Sequence, residues 1–291
     1  MTPKVTRIIS WNIQNGLGAD GLLSLKRIAK TLCQMGDADI ICLQEVSINM
    51  VLPDGSKENQ VEALSDLFFG YTPFFGVALD RLSQDGQQRE QFGNLILSRL
   101  PVHSVFHHPL PQNADGHIKQ MPRQLTEVTV QTASGMLRVM TTHLEFHSAA
   151  QRLAQSRRIM TIQTEMLDLE QDPPLAVEST PYSQLARPSS CVVCGDFNFL
   201  TDSAEYQLLT AAKVADCNFI DAWTLARPTE PHAPTCGIYD GDQWPQGAHC
   251  RDFMFITPDL AESVNGVSVD IVTNASDHQP VMLELQNFLI H

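Results

Sequence analysis

Short apolar runs that end in an acid, an amide or an imidazole recur along this chain, and they limit its fold more than any other feature. Val5 to Trp11 alternates and is rich in β-branched residues, so it reads as a strand, and Asn12 follows it. Leu22, Leu25, Ile28, Ala29, Leu32 and Met35 recur at helical spacing, and Gly36 stops that helix. Ile40 to Leu43 is a short continuous apolar run, the pattern of a strand buried on both faces, and Gln44-Glu45 follows. Further strands are predicted near Tyr71–Leu79, Phe92–Leu97, Val102–His107, Gln124–Gln131, Met136–Thr142 and Cys191–Cys194. Late strands follow at Phe253–Ile256, Val267–Val272 and Val281–Leu285, and helices are predicted over Asn59–Phe69, Ala149–Leu169 and Ser203–Ala212. Strands outnumber helices, and many are sequential neighbours. The expected class is therefore α/β (α+β): a four-layer sandwich of two mixed β-sheets packed face to face with helices outside, not a doubly wound parallel sheet. Residues 1–291 read as one domain, and the proline-rich stretch Asp172 to Ser190 reads as an inserted loop within it.

Charge narrows the partners. Nineteen Lys and Arg stand against 33 Asp and Glu, a formal net charge of −14. Proteins that hold long nucleic acid use basic stripes, because neutralised phosphates release counterions. No such run occurs; Arg152, Arg157 and Arg158, the densest cations, read as one face of a helix. Long nucleic acid is accordingly disfavoured. Met1-Thr2-Pro3-Lys4-Val5 has no apolar signal core, and no apolar run is long enough to span a bilayer. Seven cysteines show no disulfide-framework spacing, so the expected location is cytoplasmic and reducing. Cys191-Val192-Val193-Cys194 has CxxC spacing, but in a strand i and i+3 point to opposite faces, which argues for core packing. Cys236 and Cys250 flank one loop.

Glu45, Asp196, Asp252 and Asp277 all stand at strand boundaries, where a sheet rim can gather them. Four carboxylates in one cleft repel strongly, and a bound cation removes that cost. An oxygen-rich donor set suits Mg²⁺ or Mn²⁺. His143 and His278 add groups that carry protons near neutral pH. Each piece alone has a bland reading. Asn12 can cap or turn the chain, a strand-end Glu is usually solvated, and Gly-Asp-Phe-Asn suits an ordinary turn.

The ordered set is more specific. Ser-Trp-Asn12, Leu-Gln-Glu45, Gly93-Asn94 with Leu97-Ser98-Arg99, Thr-His143-Leu, Gly-Asp196-Phe-Asn198, Asp252-Phe-Met-Phe and Ser-Asp277-His278 run from Ser10 to about Leu285. In this order they resemble the endonuclease/exonuclease/phosphatase superfamily. The resemblance implies that Glu45 is the principal metal ligand with Asn12 beside it, and that Asp277 completes the metal shell. Asp196 would orient or deprotonate the attacking water, and Asn198 would hydrogen-bond the phosphate or that water. Asp252 would pair with His278, which acts in the family either as a general base or as a cationic contact to phosphate. His143 would be an acid for the leaving oxygen, and Arg123 and Asn94 would bind substrate.

Two departures bear on subtype. The common family form has Arg two positions before the late Asp, where this chain has Cys250, with Arg251 directly before Asp252. The apurinic endonuclease branch carries Asp two residues after the first Asn, and this chain has Gln14. His107, His108, His147, His232 and His249 read as surface or loop residues, and Trp223 as core. The implied activity is divalent-metal-dependent hydrolysis of a small or lipid-linked phosphate ester, monoester or diester. A nuclease acting on short or damaged nucleic acid is the alternative, and no protein partner is implied. The loops Leu79–Gln91, Asp172–Ser190 and Pro228–Gly247 are expected to shape the pocket.

Overall fold

The two-residue alternation of the buried strands sorts side chains into layers. The computed structural model describes residues 5–211 and 217–287. Its elements are β1 (Val5–Asn12), α1 (Leu25–Met35), β2 (Ile40–Ile48), α2 (Gln60–Leu67), β3 (Thr72–Leu82), β4 (Arg89–Ser98), β5 (Val102–Pro109), β6 (Gln124–Thr132) and β7 (Gly135–His143). There follow α3 (Ala149–Gln171), β8 (Cys191–Asp196), α4 (Ala204–Thr210), β9 (Ile220–Asp221), α5 (Ala222–Ala226), β10 (Asp252–Ile256), β11 (Val264–Val269) and β12 (Val281–Gln286). One six-stranded sheet has the order β11-β12-β1-β2-β4-β3, the other β5-β6-β7-β8-β10-β9. Both are mixed: β1 runs parallel to β2 and β7 parallel to β8, while their other pairings are antiparallel.

Three apolar layers hold this sandwich. Ile8, Ile40, Cys42, Val128, Val192 and Cys194 fill the space between the sheets. Their sequence neighbours Ile9, Ile41 and Leu43 point outward, against Ile28 and Leu32 of α1 and Leu64 of α2. Cys191 and Val193 likewise face Ile159 and Met160 of α3. Each fully buried side chain of this size contributes about 1.5–3 kcal/mol. The CxxC cysteines thus lie on opposite faces of β8, and all seven thiols are free. The helices begin where a short polar side chain can cap them. Ser24, Asn59, Ser148 and Ser203 accept from the backbone N–H groups of Arg27, Glu62, Gln151 and Tyr206.

Several boundaries differ from the sequence reading. β2 does not stop at Leu43 but continues through a bulge to Ile48, because its register on β4 shifts between Leu43 and Val46. The segment Leu79–Gln91 is largely a hairpin, since β3 reaches Leu82 and β4 begins at Arg89. The late strand runs over Val264–Val269, and the expected helix end at Ala212 lies outside the described residues, as do residues 1–4. His108 is half-buried rather than a free surface residue. Among the described residues no helix is long and apolar enough to cross a membrane.

Asp172–Ser190 does not shape the pocket at the carboxyl end of β8. It enters β8 at its amino end, where it covers a cleft of about 810 Å³ lined by Phe106, Met136, Met166 and its own Leu175 and Tyr182. It is pinned there by Arg187, which lies over the Phe106 ring and donates to both oxygens of Glu127 at 2.6 and 3.0 Å.

Glu127 on β6 is fully buried and also meets the fully buried Arg138 at 3.2 Å and His108 at 3.1 Å. Burial by itself would raise its carboxyl, but His108, Arg187 and Arg138 outweigh that and hold it at about 2, against an ordinary 4.5. A depressed carboxyl contributes stability above its unfolded value and loses it as pH falls. The denaturant midpoint is therefore expected to hold as pH falls to about 4.5, then drop steadily toward about 2. In Glu127→Gln that part of the acid dependence should vanish. An unchanged acid limb in the variant would exclude Glu127 as its source.

Candidate active site

Strand register brings three of the expected residues to one rim. Asp252 at the start of β10 lies opposite Asp196 at the end of β8, and His143 at the end of β7 lies opposite the same Asp196. Gly195 is needed for that approach: a side chain there would put its Cβ 1.9 Å from the Thr142 carbonyl oxygen. Beyond the strand, Phe197 donates its N–H to the Arg251 carbonyl, and Asn198 turns into the left-handed region at φ 55°. Its backbone N–H donates to Asp196 Oδ1 at 2.9 Å, and its side-chain nitrogen donates to the Leu144 carbonyl at 3.0 Å.

The other sheet supplies Asn12 and Glu45. Glu45 sits on the β2 bulge with φ 58°, a strained conformation for a residue with a Cβ. The bulge re-aims its carboxylate, which stays the most open acid of the group, with 22% of the side chain exposed. The Asn12 amide nitrogen stands between the sheets, 3.0 Å from both Glu45 Oε1 and Asp196 Oδ2. The last motif is stapled onto the first. The Trp11 indole donates to the His278 carbonyl at 2.8 Å, and the Ser276 hydroxyl lies 2.7 Å from the Asn12 carbonyl.

His278 forms the electrostatic centre. Its Nδ1 is 2.8 Å from Asp252 Oδ2, and its Nε2 is 3.6 Å from Asp196 Oδ2. Burial alone would lower this imidazole, but Asp252 and Asp196 outweigh it and hold the group well above its ordinary value, as a cation. His143 is the reverse case. Its Nε2 is 3.5 Å from Asp196 Oδ2, yet burial, with Arg123 and His278 nearby, holds it well below its ordinary range. That direction runs against the proton-donor role expected of His143. A neutral imidazole accepts a proton, and the charged one here is His278.

The acids lack compensation. Desolvation and the charge of Asp277 push Glu45 up to about 7, and burial also raises Asp196 and Asp277. A hard divalent cation fits such an oxygen-rich, under-compensated set. The tightest cluster of donor atoms, within 4.8 Å, belongs to Asp196, Asp252 and His278. There, however, Asp252 and His278 already spend their facing atoms on each other. The fit is better at Glu45 and Asp277, which have no such commitment to a ring nitrogen. Asn12 presents nitrogen rather than oxygen to this space, since its Oδ1 accepts from the Gln14 N–H. To serve as an oxygen ligand it would have to turn its amide over.

Arg123 is buried beside the group with Nε 3.6 Å from Glu145 Oε2. Asn94 does not join the site. Its amide nitrogen donates to the Gln124 carbonyl at 3.2 Å and ties the two sheets together. Three contributors escaped the sequence reading: Glu145, Phe146 and Trp244. Trp244 packs its ring edge-on to His278, centroids 6.3 Å apart, and to Phe146 at 5.6 Å. Glu145 could have been found, since it stands two residues after His143 in Thr-His-Leu-Glu. Trp244 had no local signal, because the loop that carries it is set by tertiary contacts.

Comparisons with known proteins bear on the fold and the family. A crystal structure of an endonuclease/exonuclease/phosphatase from Beutenbergia cavernae DSM 12333 is similar at TM-score 0.66 and 24% identity, covering 98% of this chain and 72% of that one. The Bacteroides thetaiotaomicron VPI-5482 mannosyl-6-phosphatase Bt3783 gives 0.65 and 17%, covering 96% and 99%. D. rerio TDP2 complexed with single strand DNA product gives 0.58 and 20%, covering 97% and 98%. At these identities the likeness shows a shared fold. No curated protein matches the chain. A family model matches residues 9–278, nearly the whole chain, and on that match the chain belongs to the Endonuclease/Exonuclease/phosphatase family.

Proposed function

We propose that this chain is a divalent-metal-dependent hydrolase of a small phosphate ester. The observation that carries the reading is the Asp252–His278–Asp196 line facing Glu45 across the sheet rim, at 2.8 and 3.6 Å. Glu45 and Asp277, with Asn12 after an amide turn, would hold Mg²⁺ or Mn²⁺, and the ion would supply positive charge to the phosphoryl oxygens. Asp196 then accepts a proton from the attacking water, held in place by the Asn198 N–H on its other oxygen. His278, kept charged by Asp252, contacts the phosphate as a cation rather than as a base. Arg123 would orient phosphate oxygens, as would Asn198 once its amide nitrogen leaves the Leu144 carbonyl, and His143 stands 3.5 Å from Asp196 Oδ2. All these residues lie between Asn12 and His278, which supports reading residues 1–291 as one domain. The net charge of −14 supports a small substrate over long nucleic acid.

The test is hydrolysis of a chromogenic phosphate monoester and the matching diester, with Mg²⁺, with Mn²⁺ and with chelator. Turnover is expected with metal and should fall at least about a hundredfold with chelator. Equal rates in chelator would sink the metal-dependent mechanism. The preferred ester separates phosphatase from phosphodiesterase, and a short oligonucleotide hydrolysed faster than either would favour a nuclease.

A further inference from the structure

Arg251 is the oddest charge near the site. It is half-buried in a strongly acidic chain, yet among the described residues it makes no ion pair with any carboxylate. Guanidinium groups drawn out of water are ordinarily matched to an acid. Instead Arg251 spends its donors on neutral acceptors. Its Nη1 donates to the Asn198 carbonyl at 2.7 Å, and its Nε donates to His249 Nε2 at 2.8 Å. The imidazole in turn donates from Nδ1 to the Gly247 carbonyl at 2.7 Å, so it stays neutral and adds no negative charge. The guanidinium lies over the Trp244 ring at 4.7 Å, which fixes its plane.

The second terminal nitrogen, Nη2, has no partner among the described residues and keeps some contact with solvent. Arg152 is close enough to feel the Arg251 charge, though Glu205 pairs with it at 3.3 Å. Burial lowers its guanidinium, and Arg251 lowers it further despite the Glu205 beside it. Trp244 touches both groups: the guanidinium lies over its ring, and the His278 ring stands nearly perpendicular to it with centroids 6.3 Å apart.

We propose that Arg251 forms a second anion subsite beside the reacting phosphate, on the Trp244 side of His278, and that the substrate is a small alcohol carrying two phosphate groups. This deepens the phosphoesterase reading and rests on it for the position of the first phosphate. An open Nη2 beside a fixed Nη1 suits two phosphate oxygens, the fork geometry by which Arg recognises such groups. The acidic surface selects a small bisphosphate over a nucleic-acid strand, whose further phosphates would be repelled.

The experiment compares hexyl phosphate with hexanediol bisphosphate and propanediol bisphosphate, and with a terminally phosphorylated thymidine dinucleotide. Both KM and calorimetric affinity are read, the latter in the Asp196→Asn protein with Mg²⁺. One diol bisphosphate should bind about tenfold more tightly than the monophosphate, the size of one charge-assisted contact. Arg251→Met should bring that ratio near one, and Arg251→Lys should keep most of it. Because the ratio is taken within one variant, any effect of Arg251 on the Asn198 turn cancels. A wild-type ratio near one, or a ratio untouched by Arg251→Met, overturns the subsite. So does a gain confined to the dinucleotide. Tight bisphosphate binding without hydrolysis of any ester would keep the subsite and remove the phosphoesterase reading.

Discussion

Asp196→Asn should lower kcat about a thousandfold with metal at saturation, the scale of a lost proton acceptor, while the protein stays folded. The substitution is isosteric. Its oxygen can still accept from the Asn198 N–H, so the turn after β8 keeps its φ 55° geometry. What disappears is the negative charge that takes the water proton and faces His278 and His143 at 3.6 and 3.5 Å. Burial raises the Asp196 carboxyl, so the wild-type fold holds an unfavourable charge there. The thermal midpoint of the variant should therefore be equal to or above that of the wild type. Near-native turnover would sink the assignment of Asp196 as proton acceptor. Lost turnover with a collapsed midpoint would show instead that Asp196 is a structural residue.

The second large effect is on stability. Glu127→Gln leaves Arg138, fully buried at 3.2 Å, without its acid, and it loosens Arg187 from the body of the protein. Removing one partner of a buried ion pair costs about 3–5 kcal/mol, because the stranded cation cannot be rehydrated. For a chain of this size that lowers the thermal midpoint by about 10 °C. Replacing Arg187 with Met should cost less, because Arg187 is partly open and Arg138 and His108 still compensate the acid. Thermal unfolding of the two variants checks the order. A loss under about 1 kcal/mol in Glu127→Gln would mean that water reaches Arg138 in the variant.

The fold was largely legible because its signals are local. Ile8 against Ile9, Ile40 against Ile41 and Cys191 against Val193 alternate with the pleat, and the pleat assigns each to one layer. Ser24, Asn59, Ser148 and Ser203 mark helix starts by the same local logic. Motif order likewise marked Asn12, Glu45, Asp196, Asn198, Asp252, Asp277 and His278, most of them at or just beyond a strand end, with Glu45 on the β2 bulge. Boundaries went astray where pairing rather than composition sets them, as at the β2 bulge and the long β3–β4 hairpin.

The sequence by itself determined which residues are buried, which elements form and which polar groups reach a rim, because those depend on neighbours a few positions away. Tertiary structure alone decided three things. It raised the His278 imidazole through the carboxylates of Asp252 and Asp196 and lowered that of His143 through burial and Arg123. It moved Asn94 out of the site and brought Trp244 in. It left Arg251 without an acid. Each turns on distances between groups far apart in the chain, and electrostatic energy at a few ångströms in a poorly solvated cleft depends on those distances and not on sequence separation.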